Sequence, residues 1–186
     1  MKRWLTGALG AALAGAALAC AATAPGAVRL ALPNRLVTPL GPGSVFPSVE
    51  AAAVDGLAFA HLEARRTDRE RAMHGATIFA AGDGFSYGPL QVARPSDPDH
   101  LTLALRPSDV AYFHTYPAGS PLEDRLNEVH SPTDRANVEK MDPRRRPLFI
   151  LTPSLRVRGY DAQRGAFDVA DSAGERTDPH VLARER

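Results

Sequence analysis

The sequence holds one cysteine, Cys20, among its 186 residues, so it cannot form an internal disulfide framework or a multi-cysteine zinc cluster. It also lacks an excess of either charge. The formal net charge is +1, and without Lys2 and Arg3, which lie in a segment that we expect to be removed, 20 basic residues stand against 21 acidic ones. No basic field remains to attract nucleic acid or anionic lipid. Neither a phosphate-binding glycine loop nor a Ser/His/Asp nucleophile pattern occurs.

The first residues have the pattern of a targeting segment. Met1-Lys-Arg supplies a positive start, and residues 4–19 are an uninterrupted run of apolar and small residues that ends at Cys20. This pattern predicts a lipoprotein-type signal over residues 1–19, with Cys20 as the acylated N-terminus. The alternative is an ordinary signal peptide cut at the same bond, which leaves a free cysteine. Both interpretations predict export, and the first predicts a bacterial lipoprotein anchored to a membrane and facing the periplasm or the cell surface.

The rest of the chain divides into three parts. Residues 20–47 are rich in Ala, Pro and Gly and have few periodic apolar positions, which is typical of a tether. Residues 48–170 have the helix and strand patterns of one globular domain, in a chain that is 44% hydrophobic. Residues 171–186 form a polar tail.

Within the domain, the spacing of apolar residues predicts two helices and several short strands. Ser48 can cap the first helix, and Ser131 can cap a second that runs to about Lys140. Pro89 is expected at a sheet edge or a bulge, and Arg144–Arg146 in a solvated turn. Strands are expected at 75–81, 85–93, 101–105, 110–113, 147–152, 155–160 and 167–169. The fold class is therefore α/β, more narrowly α+β: a layered domain in which helices flank a mostly antiparallel sheet.

The residues with the most chemical potential lie at 114–134. His114 ends an apolar run, and Ser131-Pro-Thr-Asp134 has the pattern of a helix start. Each feature alone has an ordinary structural interpretation, as a buried histidine and as a helix cap. Together they bring an imidazole and a carboxylate, which are normal zinc ligands, close to a serine hydroxyl that can support an oxyanion.

His114-Thr-Tyr-Pro117 followed by Ser131-Pro-Thr-Asp134 resembles the His-x-His-Pro and Ser-x-x-Asp signature of the JAB/JAMM (MPN-like) metallopeptidase fold. The sequence is more similar still to a bacterial branch of that fold often found in Rhs-type toxins. The resemblance extends over about residues 48–170. It implies a JAB/JAMM-like layered domain, a zinc cofactor held by His114 and Asp134, and Ser131 as the catalytic serine that supports the oxyanion.

Two positions depart from that signature. Tyr116 stands where the second zinc-binding histidine belongs, and a neutral tyrosine is a poor zinc donor near pH 7. The glutamate expected before Gly75 is missing, since Glu70 is displaced along the chain. His130 is a candidate for the third metal ligand, and His74 for a group near the position of the missing glutamate.

Two hypotheses of different class follow. The first, which the missing ligands favour, is a catalytically silent module of the cell envelope that binds a protein or peptide partner, including one derived from peptidoglycan. The second is a zinc-dependent peptidase or isopeptidase-like hydrolase that uses His114, Asp134 and His130 on the metal, with Ser131 assisting. Both have a lipid anchor as their only membrane contact, and neither binds nucleic acid.

Overall fold

A computed structural model describes residues 30–32 and 35–169. The predicted signal, Cys20 and the polar tail from residue 171 lie outside the described residues. The elements are β1 (Leu30–Leu32), β2 (Arg35–Val37), α1 (Val49–Arg66), β3 (His74–Ala81), β4 (Gly84–Tyr87), β5 (Gln91–Val92), β6 (Asp109–Thr115), α2 (Pro121–Leu126), α3 (Pro132–Ala136), β7 (Leu148–Leu151), β8 (Val157–Asp161) and β9 (Gly165–Asp168). None of the helices in this part of the chain has the length and apolar character that a membrane span requires.

The main sheet has seven strands in the order β4-β3-β6-β7-β8-β9, with β5 beside β3. Only β6 and β7 pair in parallel, and all other neighbours are antiparallel. Strands β1 and β2 form a separate antiparallel pair. Pro89 lies between β4 and β5 on the same edge of the sheet, as predicted. The prediction of an α+β domain with a mostly antiparallel sheet is confirmed.

Helix α1 covers one face of the sheet. It begins at the predicted cap, where the Ser48 hydroxyl accepts a hydrogen bond from the Ala51 amide at 3.1 Å. Its alanine-rich face allows close packing, and at Gly56 a Cβ atom would lie 2.4 Å from the ring of Phe113. The main core lies between α1 and the sheet, and its largest fully buried members are Leu57, Ile78, Tyr87, Phe113 and Phe149.

The opposite face of the sheet carries a second, smaller core. Alternation along β6 turns Phe113 toward α1 and its neighbours Tyr112 and His114 the other way. A π-helical turn at Asn137–Met141 continues α3, and it buries Val138 completely while leaving Met141 73% exposed. This second core consists of Tyr112, Val138, Leu148, Ile150 and Tyr160.

The predicted strand at 101–105 does not join the sheet. Leu101, Leu103 and Leu105 are half-buried and alternate with exposed Thr102 and Ala104, which is the pattern of an extended chain. No backbone bond from these five residues to another described residue is formed. The predicted strand is therefore wrong for these residues, although the half-buried leucines alternate as the sequence pattern predicts.

Part of the predicted tether packs on the domain. Phe46 is 8% exposed and pairs with Phe85 of β4, through amide-to-carbonyl bonds of 2.7 and 2.8 Å. The described domain therefore starts before residue 48, because this segment covers the free edge of β4.

The sequence patterns did not predict helix α2, which lies exposed after Pro117 and in which Ser120 and Glu123 form a capping box. One further sequence prediction is corrected. Arg146 is buried rather than solvated, because its guanidinium bonds the Asp142 carboxylate at 2.5 Å and the Asp109 carbonyl at 2.7 Å.

Candidate functional site

The candidate site forms where the end of β6 meets the start of α3. His114 and Tyr116 are two residues apart at the strand end, so both side chains lie on the face opposite α1. Ser131 caps α3 as predicted: its Oγ accepts from the Asp134 amide at 3.1 Å, and Asp134 Oδ2 accepts from the Ser131 amide at 3.0 Å. The structure thus brings together four residues, His114, Tyr116, Ser131 and Asp134, which we call the Asp134 cluster.

The Asp134 carboxylate accepts four hydrogen bonds. His114 Nε2 lies 3.0 Å from Oδ1, while Oδ2 accepts from the Tyr116 hydroxyl, from Ser131 Oγ at 2.8 Å and from the Ser131 amide. Since a carboxylate only accepts, the proton in the histidine bond lies on Nε2. The Tyr116 hydroxyl in turn accepts from the Ser131 amide at 2.9 Å, which closes the network.

Electrostatics fix the charge of the cluster. Burial by itself raises the pKa of Asp134, but the bonds and charge of His114, followed by the hydroxyls of Tyr116 and Ser131, outweigh it and hold that pKa well below its ordinary value. Burial and the neighbouring Asp134 carboxylate raise the pKa of Tyr116. Asp134 is therefore an anion and Tyr116 a neutral donor near neutral pH.

The remaining donor capacity of the cluster is low. His114 is 5% exposed, and its second ring nitrogen, Nδ1, lies 3.3 Å from the Thr115 carbonyl. Ser131 Oγ donates its one hydrogen to Asp134 and accepts from the Asp134 amide, so no donor is left for the predicted support of an oxyanion. Each member is bonded to another member or to its own backbone.

The structure does not bring His130 into ligand distance of His114 and Asp134. Its ring packs against Tyr160, with a centroid distance of 5.6 Å, and neither ring nitrogen bonds a described residue. Burial lowers the pKa of His130 to about 4, which keeps the imidazole neutral. Across the described residues, no group of three His, Cys, Asp or Glu side chains is placed to hold a metal ion.

The candidates for the missing glutamate lie elsewhere. Gly75 pairs with His114, so by strand alternation the neighbouring His74 side chain points to the opposite face, where its Nδ1 bonds the Ala72 carbonyl at 2.8 Å. Glu70 is exposed and lies 3.7 Å from Arg65. Neither residue contacts the Asp134 cluster.

The donor set therefore does not fit zinc as it stands. Two of the predicted ligands, His114 and Asp134, converge, but the third, His130, does not join them, and the Tyr116 hydroxyl is already bonded to Asp134. In the sequence, Tyr116 stands out only as a missing histidine, and its role as a hydrogen-bond donor is not predicted. The period-two spacing from His114 at the strand end was the signal that could have placed it in the cluster.

A cleft of about 1450 Å³ opens beside the cluster and includes all four of its residues in its lining. The 101–105 segment forms part of the lining, and the side chains of Leu126 and Met141 contribute exposed apolar surface, at 65% and 73% exposure. Charges of both signs line it, among them Arg71, Arg144, Asp99 and Glu123. The cleft is large enough for a peptide and carries no field of one sign.

No protein-family model, curated protein or solved structure matches this chain.

Proposed function

We propose that the chain is an exported cell-envelope lipoprotein whose JAB/JAMM-like domain is catalytically silent and binds a protein or peptide partner in the cleft. The observation that carries this proposal is the saturation of Asp134. A carboxylate that already accepts four hydrogen bonds stabilises its own helix start and strand end rather than a reacting group.

The missing catalytic groups support the same conclusion. Metal-dependent hydrolysis needs an open coordination position and a group that takes a proton from the attacking water. Here Tyr116 fills the ligand position, and neither Glu70 nor His74 reaches the cluster. The residues that remain from the signature have structural roles in this arrangement.

The surface of the cleft supports binding. Helix α2 buries none of its residues, and its Leu126, which lines the cleft, is 65% exposed. Met141, which is 73% exposed, adds a second large apolar side chain to the lining. Exposed apolar residues grouped around a concave site are typical of a protein or peptide interface.

Selection from a random decapeptide phage library on the full chain tests this proposal. We expect the native chain to enrich related sequences, and the double variant Leu126→Asp, Met141→Asp to lose them, because two charges replace apolar contact surface. The matched control is Leu40→Asp, which alters an equally exposed leucine, at 69%, that does not line the cleft. Enrichment that is absent on the native chain, or unchanged by the double variant, would contradict peptide binding in the cleft.

A zinc-dependent peptidase or isopeptidase-like hydrolase is the second candidate function. It is favoured by the 3.0 Å approach of His114 Nε2 to Asp134 Oδ1 beside the cleft.

Metal content by mass spectrometry separates the two candidates. We expect no stoichiometric zinc in the native chain and a gain in Tyr116→His, which supplies a ligand and removes one donor from Asp134. Tyr116→Phe is the control that removes the hydroxyl only. Stoichiometric zinc in the native chain that disappears in the His114→Ala, Asp134→Ala double variant would establish the hydrolase candidate instead.

A further inference from the structure

The 101–105 segment has the form of a strand without a partner. Its leucines alternate inward, and Leu101 lies so close over β3 that a Cβ atom at Gly75 would be 2.8 Å from its Cδ2. Leu103 and Leu105 pack against the second core. The segment is therefore held against the sheet by its side chains, while its backbone has no bond to any described residue.

Both ends of the segment are fixed. On the N-terminal side, the Met73 amide donates to the Pro98 carbonyl at 3.0 Å. On the C-terminal side, the Arg106 amide donates to Asp109 Oδ2 at 2.7 Å, and the Arg146 guanidinium donates to the Arg106 carbonyl at 3.0 Å. Because Arg146 is itself buried against Asp142, this end is anchored to the body of the domain. The segment is thus anchored at both ends before any partner arrives, which reduces the entropy that binding must offset.

The segment also lies where a ligand in the cleft can reach it. The cleft lining includes Leu101, Thr102, Leu103 and Leu105. Five extended residues span about 16 Å. Successive residues of a strand direct their N–H and C=O groups to alternate edges, so one edge offers the backbone groups of two or three residues. An extended peptide is the ligand that satisfies such a row, since its own N–H and C=O groups repeat at the same spacing.

We propose that the cleft recognises an extended peptide by strand addition to Leu101–Leu105. This inference rests on the proposed peptide-binding function and specifies its mode. Backbone pairing supplies the main contact, and alternate side chains of the peptide face the cleft floor, where the half-buried Tyr116 presents aromatic surface. Apolar or aromatic residues at every second position of the peptide fit that floor.

Amide hydrogen exchange of the full chain, followed by NMR with and without the selected decapeptide, tests the proposal. Without peptide, we expect the amides of residues 101–105 to exchange fast. With peptide at 100 times its Kd, we expect alternate amides in this segment to slow by up to about 100-fold. The amides of β3 and β7 are already paired and exchange slowly without peptide, so the diagnostic change is the conversion of residues 101–105 from fast to slow exchange.

Two N-methylated series of the same peptide give a second readout. Methylation at odd or at even positions removes the donors of one peptide edge only, so one series should bind at least about tenfold more weakly and the other should bind like the parent. A peptide that binds without slowing exchange at 101–105, and whose two methylated series bind equally well, would overturn strand addition and leave peptide binding intact. Slow exchange in the chain without peptide would also overturn it, because the segment would then pair within the protein. Failure to select any peptide would overturn both proposals.

Discussion

Asp55 and Asp134 are both buried, both accept a bond from a tyrosine hydroxyl, and lie on opposite faces of the same sheet. Asp55 projects from α1 and accepts from the Tyr87 hydroxyl at 2.6 Å and from the Leu40 and Gly41 amides at 2.7 and 3.2 Å. All three donors are neutral. Asp134 has a histidine among its four donors and lines the cleft.

The different partners shift the two carboxyl pKa values in opposite directions. Burial raises the pKa of Asp55, and its neutral donors only partly offset that effect. The pKa of Asp134 is lowered, because His114 and the two hydroxyls outweigh burial. A buried carboxylate is therefore not by itself a mark of function. Asp55 fastens the segment before α1 onto the core, whereas Asp134 sets a fixed negative charge in the wall of a cleft.

Removal of each carboxylate gives the strongest test of the difference between Asp55 and Asp134. We expect Asp55→Ala to lower the free energy of unfolding by about 3 kcal/mol, since three buried donors lose their acceptor. We expect about 2 kcal/mol for Asp134→Ala, because water from the cleft can reach the donors that it leaves. Urea unfolding of the full chain, followed by circular dichroism, measures both. A larger loss in Asp134→Ala than in Asp55→Ala would contradict the premise that water from the cleft reaches the donors that Asp134 leaves.

Peptide binding provides the control for that pair of variants. Asp55→Ala should keep the affinity for the selected decapeptide at temperatures where it remains folded, because Asp55 lies on the α1 side of the sheet, away from the cleft. Asp134→Ala should weaken it, because it loosens the wall that Tyr116 and Ser131 share. Equal effects of the two variants on affinity would remove the functional distinction between the two centres.

The sequence located the Asp134 cluster through local rules. An apolar run that ends at His114 and a helix cap from Ser131 to Asp134 are short-range signals. In the structure the strand runs on to Thr115, and the Ser131–Asp134 capping box is present. The same kind of signal placed Ser48 at the start of α1. Local patterns therefore predicted the α+β class and the elements that carry the site.

What the sequence did not predict depends on contacts between distant residues. The bond from Tyr116 to Asp134 spans 18 positions, and the burial of His130 beside Tyr160 spans 30. The pattern Leu-Thr-Leu-Ala-Leu at 101–105 predicts a strand, but no pattern shows whether a neighbour will pair with it. The arginine triplet predicted a solvated Arg146, but its side chain is buried by bonds to Asp109 and Arg106, which are 37 and 40 positions away along the chain. Such outcomes are set by tertiary packing.

The pH dependence of stability also distinguishes Asp55 from Asp134, and we expect this effect to be the smallest. Asp134 has a folded-state pKa below its unfolded value of about 3.9, so its stabilising contribution is complete above that value and is lost as pH falls toward the folded pKa. Asp55 has a raised folded-state pKa, so its contribution is complete below about 3.9 and is lost as pH rises through the folded value. Urea midpoints between pH 7 and 3 for the native chain, Asp55→Asn and Asp134→Asn give two difference curves in which the titrating groups that do not contact the substituted carboxylate cancel. We expect native minus Asp134→Asn to fall on acidification and native minus Asp55→Asn to rise. Curves of the same sign would show that the two carboxylates, despite their different partners, respond to burial in the same way.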